Sequence, residues 1–414
     1  MAATKARAVV SEGVGRGVSF SWRTAGAAGI WCKNCCMTMT RRQFVAQGSV
    51  VGAVAAIGLP GLAQGNAAGV SIRAAGAGRG ILAGCAVNVR ALRNDAAYKK
   101  LLEEQVGIVV AESSFKFGPL RPSPTTFFFD DADFLAAFAE ANEMKLRGHN
   151  FVWHRQLPKW FDSYVTKENA EQVLVDHIEQ VGGRYAGKIH SWDVVNEAIQ
   201  VSDGLPGGFR NSPWQKVLSG TGAVPQYIEV AFRTARRVDP KALLVYNDYG
   251  IEGEDEGSAK KRVAVMGLLR GMQRQKIPPD ALGVQSHISA VGKDGHAPVY
   301  GAGLMAMIAD VRKMGLKVLV TEMDVNDRYV AQEVGARDAA VAQMYGNYLG
   351  TVLQDRAVIA VLTWGITDKY TWLNGEDSRT DGQPERPLPF DAAMQPTGAF
   401  AAEVRALQGA PARG

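Results

Sequence analysis

Short apolar runs alternate with amphipathic segments along the chain from about residue 80. The runs have the length of buried strands, and the segments between them repeat apolar residues at helical spacing. The predicted strands are 80–87, 107–111, 145–152, 188–195, 243–247, 282–285, 317–321 and 359–363. The predicted helices include 131–144, 167–181, 225–237, 257–273, 304–314, 336–353 and 397–407. Eight such units predict a single α/β domain, the (β/α)8 or TIM barrel.

Two of the predicted strands share a sequence pattern. The fourth and the seventh are apolar runs that lead directly into an acidic residue, Glu197 after Asn196 in one case and Glu322 in the other. In a closed parallel barrel the carboxyl ends of all strands open on one face, where such barrels carry their chemistry. We therefore expect the two carboxyl groups to face one cleft.

Other polar and aromatic residues also fall at the ends of predicted strands. They are Glu112, Lys116, His149, Asn150, Trp153, His154, Asn247, Asp248, Gln285, His287, Asp324 and Trp364. A single histidine of this kind is more often a hydrogen-bonded structural residue. Random placement would scatter such groups over helices and both barrel faces, so the set together favours a functional site. The longer segments 200–219, 249–256 and 368–389 are expected to wall its cleft, with Trp214 and Trp372 available to a ligand.

Charge is unevenly distributed along the chain. The formal charge is +5, and residues 1–68 carry seven basic residues against Glu12 alone, a net of +6, which leaves −1 for the remainder (+5 minus 6). A basic surface for nucleic acid is therefore not expected.

The basic leader has the features of an export signal. Residues 40–45 contain Arg41 and Arg42, and an uncharged run, 46–62, and small residues follow. This pattern resembles a twin-arginine signal, although a basic turn before a core helix is the alternative. We predict an N-terminal extension over 1–36, a signal peptide over 37–68 and a catalytic domain over 69–414. The exported protein is expected to be periplasmic or extracellular, monomeric and free of the membrane once the signal is removed.

The cysteines and histidines do not indicate a metal centre or another cofactor. Cys32, Cys35 and Cys36 precede the predicted domain, so Cys85 is alone in it and no internal disulfide is expected. The Cys-x-x-Cys spacing of Cys32 and Cys35 has no partner cluster at zinc-site distance, and His149 and His154 are five residues apart on a strand-to-loop segment. A metal hydrolase is therefore the weaker interpretation.

The residues at the strand ends suit glycoside hydrolysis. That reaction uses one neutral carboxyl group to protonate the leaving oxygen and one ionised carboxylate to attack the anomeric carbon. Tryptophan rings stack on the apolar faces of sugars, and amide, imidazole and ammonium groups bond to sugar hydroxyls.

Six segments resemble the motifs of glycoside hydrolase family ten, the endo-1,4-β-xylanases. They are Arg-Gly-His-Asn-Phe-Val-Trp-His at 147–154, Trp-Asp-Val-Val-Asn-Glu at 192–197, Asn-Asp-Tyr at 247–249, Gln-Ser-His at 285–287, Thr-Glu-Met-Asp at 321–324 and Trp-Gly-Ile-Thr-Asp-Lys-Tyr-Thr-Trp at 364–372. The match runs in order over nearly the whole predicted barrel, from about residue 80 to the closing helix.

The resemblance implies a retaining double displacement on xylan or xylo-oligosaccharides, without a cofactor. Glu197 would be the acid/base and Glu322 the nucleophile. The implied substrate-binding residues are Glu112, Lys116, His149, Trp153, Asn196, Gln285, His287, Trp364 and Trp372. From the residues themselves, Asn196 can reach a sugar 2-hydroxyl or the other carboxylate.

A support for the nucleophile is also predicted. Asp324 lies two residues beyond Glu322 and so points to the same side of the strand. With His287 it could form a carboxylate–imidazole–carboxylate chain that keeps Glu322 ionised and oriented.

The second strand departs from the family pattern. Where the family has Asn after the glutamate, this chain has Ser113 after Glu112. Because serine is shorter and has no amide, we expect weaker binding of the sugar one unit further from the cut. Two other functions stay open: another retaining β-1,4-glycanase of the same barrel clan, and a non-catalytic carbohydrate-binding barrel.

Overall fold

Parallel strands form a closed barrel in the computed structural model, which describes residues 69–376 and 378–413. The strands are β1 (Leu82–Val87), β2 (Ile108–Ala111), β3 (Lys145–Val152), β4 (Ile189–Asn196), β5 (Leu243–Asp248), β6 (Ala281–Val284), β7 (His287–Ser289), β8 (Lys317–Asn326) and β9 (Val358–Thr363). The proposed extension at 1–36 and the signal peptide at 37–68 lie outside the described residues.

Eight of these strands close on themselves, which confirms the predicted (β/α)8 barrel. Neighbours pair in the order β1 to β6, then β8, β9 and back to β1, and every pairing is parallel. The short strand β7 is additional and pairs with the far end of β8, with His287 opposite Asp324. All eight predicted strands are present, and most of their ends agree within two residues.

Helices follow the strands around the outside. In chain order they are α1 (Ile72–Ala77), α2 (Val89–Asn94), α3 (Ala96–Gln105), α4 (Phe117–Leu120), α5 (Asp130–Ala141), α6 (Phe161–Tyr164), α7 (Ala170–Arg184), α8 (Pro213–Val217), α9 (Gln226–Val238), α10 (Glu256–Arg274), α11 (Ala302–Lys313), α12 (Val334–Val352), α13 (Leu373–Glu376) and α14 (Gly398–Gly409). The seven predicted helices correspond to α5, α7, α9, α10, α11, α12 and α14.

The seventh barrel strand is longer than its apolar run. We predicted residues 317–321, whereas β8 continues through Glu322 and Asp324 to Asn326. The two acidic side chains alternate with buried Met323 and Val325, which keep the far side of the strand apolar. The strand can therefore carry two carboxyl groups beyond the point at which its apolar run ends.

Two layers of apolar packing hold the barrel. Alternate strand residues such as Val110, Val245 and Leu319 fill its interior in one cluster, and the larger cluster lies between strands and helices. This alternation is the expected consequence of the two-residue period of a strand. At the C-terminal mouth Trp364 joins the interior cluster, so the floor of the predicted cleft is a packed core.

Close packing also fixes the strand that carries His149. A side chain at Gly148 would place its Cβ 1.9 Å from the Trp192 ring, so only glycine fits there. Trp192 in turn stacks on Phe151 with ring centroids 4.2 Å apart.

Within the described ranges, the helices are too short or too polar to cross a membrane.

Candidate active site

A cleft of about 770 Å³ opens at the carboxyl ends of the barrel strands. It is lined by Glu112, Ser113, Lys116, His149, Trp153, His154, Arg155, Gln156, Asn196, Glu197, Tyr249, Gln285, His287, Glu322, Trp364 and Trp372. The structure thus brings together both predicted catalytic glutamates and all the predicted substrate-binding residues. Asp324 does not line this cleft and lies behind His287.

Glu322 is buried among hydrogen-bond donors and cations. Its Oε1 accepts a 2.6 Å bond from Asn247 Nδ2, and its Oε2 lies 3.3 Å from His287 Nε2. Burial acts to raise the pKa of Glu322, but His149, His287 and Lys116 outweigh it and lower that pKa to about 2. Glu322 is therefore a carboxylate at neutral pH.

The predicted carboxylate–imidazole–carboxylate chain is present as a set of contacts. His287 Nδ1 donates to Asp324 Oδ1 over 2.9 Å, and Trp372 Nε1 donates to Asp324 Oδ2 over 2.7 Å. Burial acts to lower the pKa of His287, but Asp324 and Glu322 outweigh it and raise that pKa well above 6.5. A cationic imidazole therefore lies between two carboxylates.

Glu197 has a strained backbone and neutral partners. Its φ of +58° lies in the left-handed region, which costs a non-glycine residue roughly 1 kcal/mol or more. The strain is held by a 2.9 Å bond from its N–H to the carbonyl of Asn247 and by a 2.7 Å bond from Arg210 Nε to its own carbonyl. Gln285 and Asn196 donate to Oε1 over 3.1 and 3.2 Å.

His154 approaches the same carboxyl group from the other side. Its Nδ1 lies 3.6 Å from Glu197 Oε2. Burial, followed by the charges of Arg210 and Arg155, lowers the pKa of His154 to about 3. The imidazole next to Glu197 is therefore neutral, in contrast to the one next to Glu322. The sequence placed His154 at a strand end but could not indicate which carboxyl group it would meet.

The amide that contacts Glu322 belongs to Asn247, whereas Asn196 donates to Glu197. The topology explains this division, because β5 lies between β4 and β8 in the barrel order. Asn247 Nδ2 also donates to Asn196 Oδ1 over 2.9 Å, so the two amides link the two carboxyl groups. The contact of Asn196 with a sugar hydroxyl stays a prediction.

The backbone changes direction at Ser286, so the residues on either side of it contact different carboxyl groups. Ser286, between Gln285 and His287, has a φ of +65°. Its N–H donates over 2.8 Å to the buried carboxyl group of Glu252, and its hydroxyl lies 2.6 Å from that of Tyr348. These contacts direct Gln285 to Glu197 and His287 to Glu322.

His149, Asp193 and Glu322 offer possible metal ligands within 4.8 Å of one another. However, Asp193 Oδ1 already accepts a 2.5 Å bond from Arg147, and Oδ2 accepts one of 2.9 Å from His149 Nδ1. The guanidinium neutralises the carboxylate that a cation would need. The donor set fits a buried ion-pair network that orients His149.

Glu112 and Lys116 also line the cleft. Burial raises the pKa of Glu112 to about 7, although a 3.0 Å bond from Asn88 Nδ2 and the charge of Lys116 act to lower it. The Lys116 ammonium lies 4.7 Å from the centre of the Trp153 ring and 5.7 Å from that of Trp364. Asn88, which the sequence analysis missed, directly follows β1, so its place after a strand was the available signal.

Comparison with known proteins agrees with this arrangement. The model of glycosyl hydrolase family 10 matches residues 71–406. The chain belongs to glycosyl hydrolase family 10. Among curated relatives in this family, it is 33% identical over 346 residues to endo-1,4-beta-xylanase C of Paenibacillus barcinonensis, covering 78% of this chain and 30% of that protein. It is also 33% identical to a thermostable celloxylanase of Thermoclostridium stercorarium, covering 74% of this chain and 80% of the relative.

A solved structure of the same family shares the fold. Xylanase 10B from Thermotoga petrophila RKU-1 in complex with xylobiose has a TM-score of 0.71 and 30% identity, covering 82% of this chain and 97% of that chain. The curated relatives differ in length, and the chain spans only 30% and 45% of the first two of them.

Proposed function

We propose that this family 10 protein is a retaining endo-1,4-β-xylanase. The observation that carries the proposal is the contrast between two buried carboxyl groups in one cleft. Glu322 is held ionised by His149, His287 and Lys116, whereas the Glu197 carboxyl group contacts the neutral side chains of Gln285, Asn196 and His154. A double displacement needs this pairing of an anionic nucleophile with a proton donor.

In the first step Glu322 attacks the anomeric carbon and Glu197 protonates the departing glycosidic oxygen. A covalent glycosyl–enzyme forms and the aglycone leaves. In the second step Glu197 takes a proton from water, whose oxygen attacks the same carbon and releases Glu322. The anomeric configuration is retained because the carbon is inverted twice.

The surrounding residues hold the reacting groups and the sugar. Asn247 and His287 fix the two oxygens of Glu322, one each, so that the carboxylate is oriented before substrate arrives. Trp153 and Trp364 offer ring faces to sugars, with Lys116 between them to donate to hydroxyl groups. His149 lies against the Trp364 ring with centroids 5.3 Å apart.

Xylan is the proposed substrate because the relatives named above are xylanases and one was solved with xylobiose. A glucan is the second candidate, since another relative is called a celloxylanase. The purified protein should be assayed for reducing-sugar release on xylan, β-glucan and mannan. We expect the highest kcat/KM on xylan. Proton NMR of the first product should show the β anomer. Retention of xylan without release of sugar would instead indicate a binding protein.

We also propose that the catalytic domain is exported by a twin-arginine-type signal at 37–68. The support is the Arg41-Arg42 pair before an uncharged run. Replacing both arginines by lysine keeps the charge but removes the signal's guanidinium pair. We expect the precursor to accumulate in the cytoplasm. Export of the variant at the parent's level would contradict the proposal.

A further inference from the structure

Ser286 lies at an interruption of the strand pairing in the barrel. β6 pairs with β8 up to Val284 opposite Val320, and the pairing of β7 with β8 begins with His287 opposite Asp324. Between these two pairs one chain segment advances by three residues and the other by four (287 minus 284 and 324 minus 320). The left-handed φ of +65° at Ser286 accommodates this difference. A serine in this conformation is strained, so neighbouring groups must hold it there.

The buried carboxyl group of Glu252 holds the strained residue. Its Oε1 accepts the N–H of Ser286 over 2.8 Å, and its Oε2 accepts the N–H of Ile251 over 2.7 Å. Both oxygens therefore bond to the backbone. The N–H of Gln285 still bonds over 2.9 Å to the carbonyl of Asp248, at the end of β5. Ser286 is thus the first residue after β6 whose N–H depends on a side chain.

Two outer helices fix the position of Glu252 and of the turn. Arg262, a buried residue of α10, donates through one guanidinium nitrogen to the carbonyl groups of the residues on either side of Glu252. In α12, the hydroxyl of Tyr348 lies 2.6 Å from the hydroxyl of Ser286. The loop that carries Glu252 is therefore anchored to the helical layer, and so is the turn that it contacts.

The turn at Ser286 carries one contact to each carboxyl group of the active site. Gln285 Nε2 donates to Glu197 Oε1 over 3.1 Å, and His287 Nε2 lies 3.3 Å from Glu322 Oε2. Because these two side chains leave the backbone on either side of Ser286, a change in its φ rotates one against the other. Both contacts therefore depend on a single backbone conformation.

We propose that Glu252 is a positioning residue for both carboxyl groups of the active site, and that it acts through the backbone of Ser286. The inference rests on the proposed function and assigns to it a residue that lies outside the lining of the cleft. Glu252 does not need to touch the substrate for this role. A misplacement of the order of 1 Å at a reacting group can cost about 10²-fold in rate.

The test is Glu252→Gln, which keeps the size of the side chain but leaves one acceptor oxygen for two N–H groups. We expect kcat/KM on xylan to fall about 10- to 100-fold at pH 7. When His287 moves away, Glu322 loses part of what lowers its pKa, so the acidic limb of kcat/KM should move to higher pH. Removing the charge of Glu252 would by itself have the opposite effect, because a lost anion favours ionised Glu322. The sign of the shift therefore separates positioning from a direct effect of charge.

Glu254→Gln is the matched control. This glutamate lies two residues further along the same loop and also accepts backbone N–H groups, those of Gly301, Gly303 and Leu304 at the start of α11. The control should lower Tm without moving the acidic limb, because its contacts lead away from the turn at Ser286.

A glycine background tests whether the effect passes through the turn. Glycine adopts a positive φ without steric cost, so Ser286→Gly should keep the turn with less help from Glu252. In that background Glu252→Gln should cost about 3-fold or less, because two substitutions that act on one element are not additive. An equal loss in both backgrounds would overturn the inference, since Glu252 would then act by another route.

A uniform loss at every pH with an unmoved acidic limb would also overturn the inference, as would a shift of the limb to lower pH. If Glu252→Gln does not fold, Glu252→Asp keeps the charge and both oxygens but withdraws them by one carbon, and it should move the limb in the same direction. A crystal structure of either variant gives a result that does not depend on activity. Ser286 should have left the left-handed region, and an unchanged φ there would contradict the inference. Absence of xylan cleavage by the parent would instead refute the proposed function, and the crystallographic test would still apply.

Discussion

Glu322 and Glu197 are buried to a similar degree, with 4% and 9% of their surfaces exposed, yet the side chains that contact their carboxyl groups differ in charge. The groups that lower the pKa of Glu322 are His149, His287 and Lys116, and Lys116 lines the same cleft. The Glu197 carboxyl group meets two amides and a neutral imidazole. The difference between the two sides lies in the charge of the partners.

This contrast shows that burial alone does not determine which form of a glutamate, ionised or protonated, is stabilised. Burial penalises any charged carboxylate, so each buried glutamate must be stabilised by partners suited to its working form. Cations around Glu322 favour the anion and oppose its protonation. Amides around Glu197 can donate to a carboxylate or accept from a carboxyl group, so they serve a residue that must gain and lose a proton. Substitutions of Glu322, Glu197 and Asp324 each change one of these two carboxyl groups or its partners, whereas a substitution of Ser113 changes neither.

Removing Glu322, the proposed nucleophile, should have the largest effect. Glu322→Ala eliminates covalent catalysis, and we expect kcat on xylan to fall by roughly 10⁵-fold, as for other nucleophile deletions. Azide can enter the space left by the carboxylate. It should restore turnover of an activated aryl xyloside and give a product of inverted configuration. If azide gives the same rescue in Glu197→Ala with an inverted product, the two roles have been exchanged.

Removing Glu197, the proposed proton donor, should have an effect that depends on the leaving group. Glu197→Ala should lower kcat/KM on xylan by about 10²- to 10⁴-fold, the usual contribution of general acid catalysis. An aryl glycoside with an acidic phenol needs little protonation, so its first step should be nearly unaffected. Stopped-flow release of the phenol measures that step. Equal losses on both substrates would mean that Glu197 acts otherwise than as an acid.

Much of this arrangement follows from the sequence. Each barrel strand is an apolar run bounded by polar residues, and the two glutamates proposed as catalytic follow such runs directly, so the strands and the face of the barrel were predictable. Strand β7 was not, because three residues after the left-handed Ser286 give no alternating pattern. The extension of β8 was missed because acidic residues are atypical of a strand that has both faces buried.

Contacts between elements were less predictable than the elements themselves. The pairing of Asn247 with Glu322 depends on β5 lying between β4 and β8, and on side-chain direction at the rim. The buried bond from Arg147 to Asp193, which orients His149, crosses from β3 to β4. Neither residue pair is marked by a spacing in the sequence, because closure of the barrel brings them together.

Lowering the positive charge of His287 should shift the pH dependence of kcat/KM. In Asp324→Asn, His287 loses the negative partner that helps to raise its pKa, so it carries less positive charge at neutral pH. Glu322 then loses part of the effect that lowers its pKa to about 2, and that pKa should rise. The acidic limb of kcat/KM should therefore move to higher pH, with a fall of about 10²-fold at pH 7.

The control for this shift is Asp294→Asn, the same change at an exposed loop residue that caps the N–H of His296. Asp294→Asn should not change the pH dependence of kcat/KM. A uniform loss of rate in Asp324→Asn at every pH, with an unmoved acidic limb, would mean that Asp324 only positions the imidazole and does not tune its charge.

The smallest expected effect lies away from both carboxyl groups, at Ser113. This exposed serine lines the cleft beside Glu112, where the family pattern has asparagine. Ser113→Asn adds an amide that can bond to a sugar hydroxyl, a gain of about 1 kcal/mol. KM on xylotriose and xylotetraose should fall about 5-fold while kcat is unchanged, since the contact is equal in ground and transition states. Ser113→Ala removes the hydroxyl without adding an amide and should not lower KM. If Ser113→Asn leaves KM unaltered on these short substrates, the serine does not limit binding at this end of the cleft.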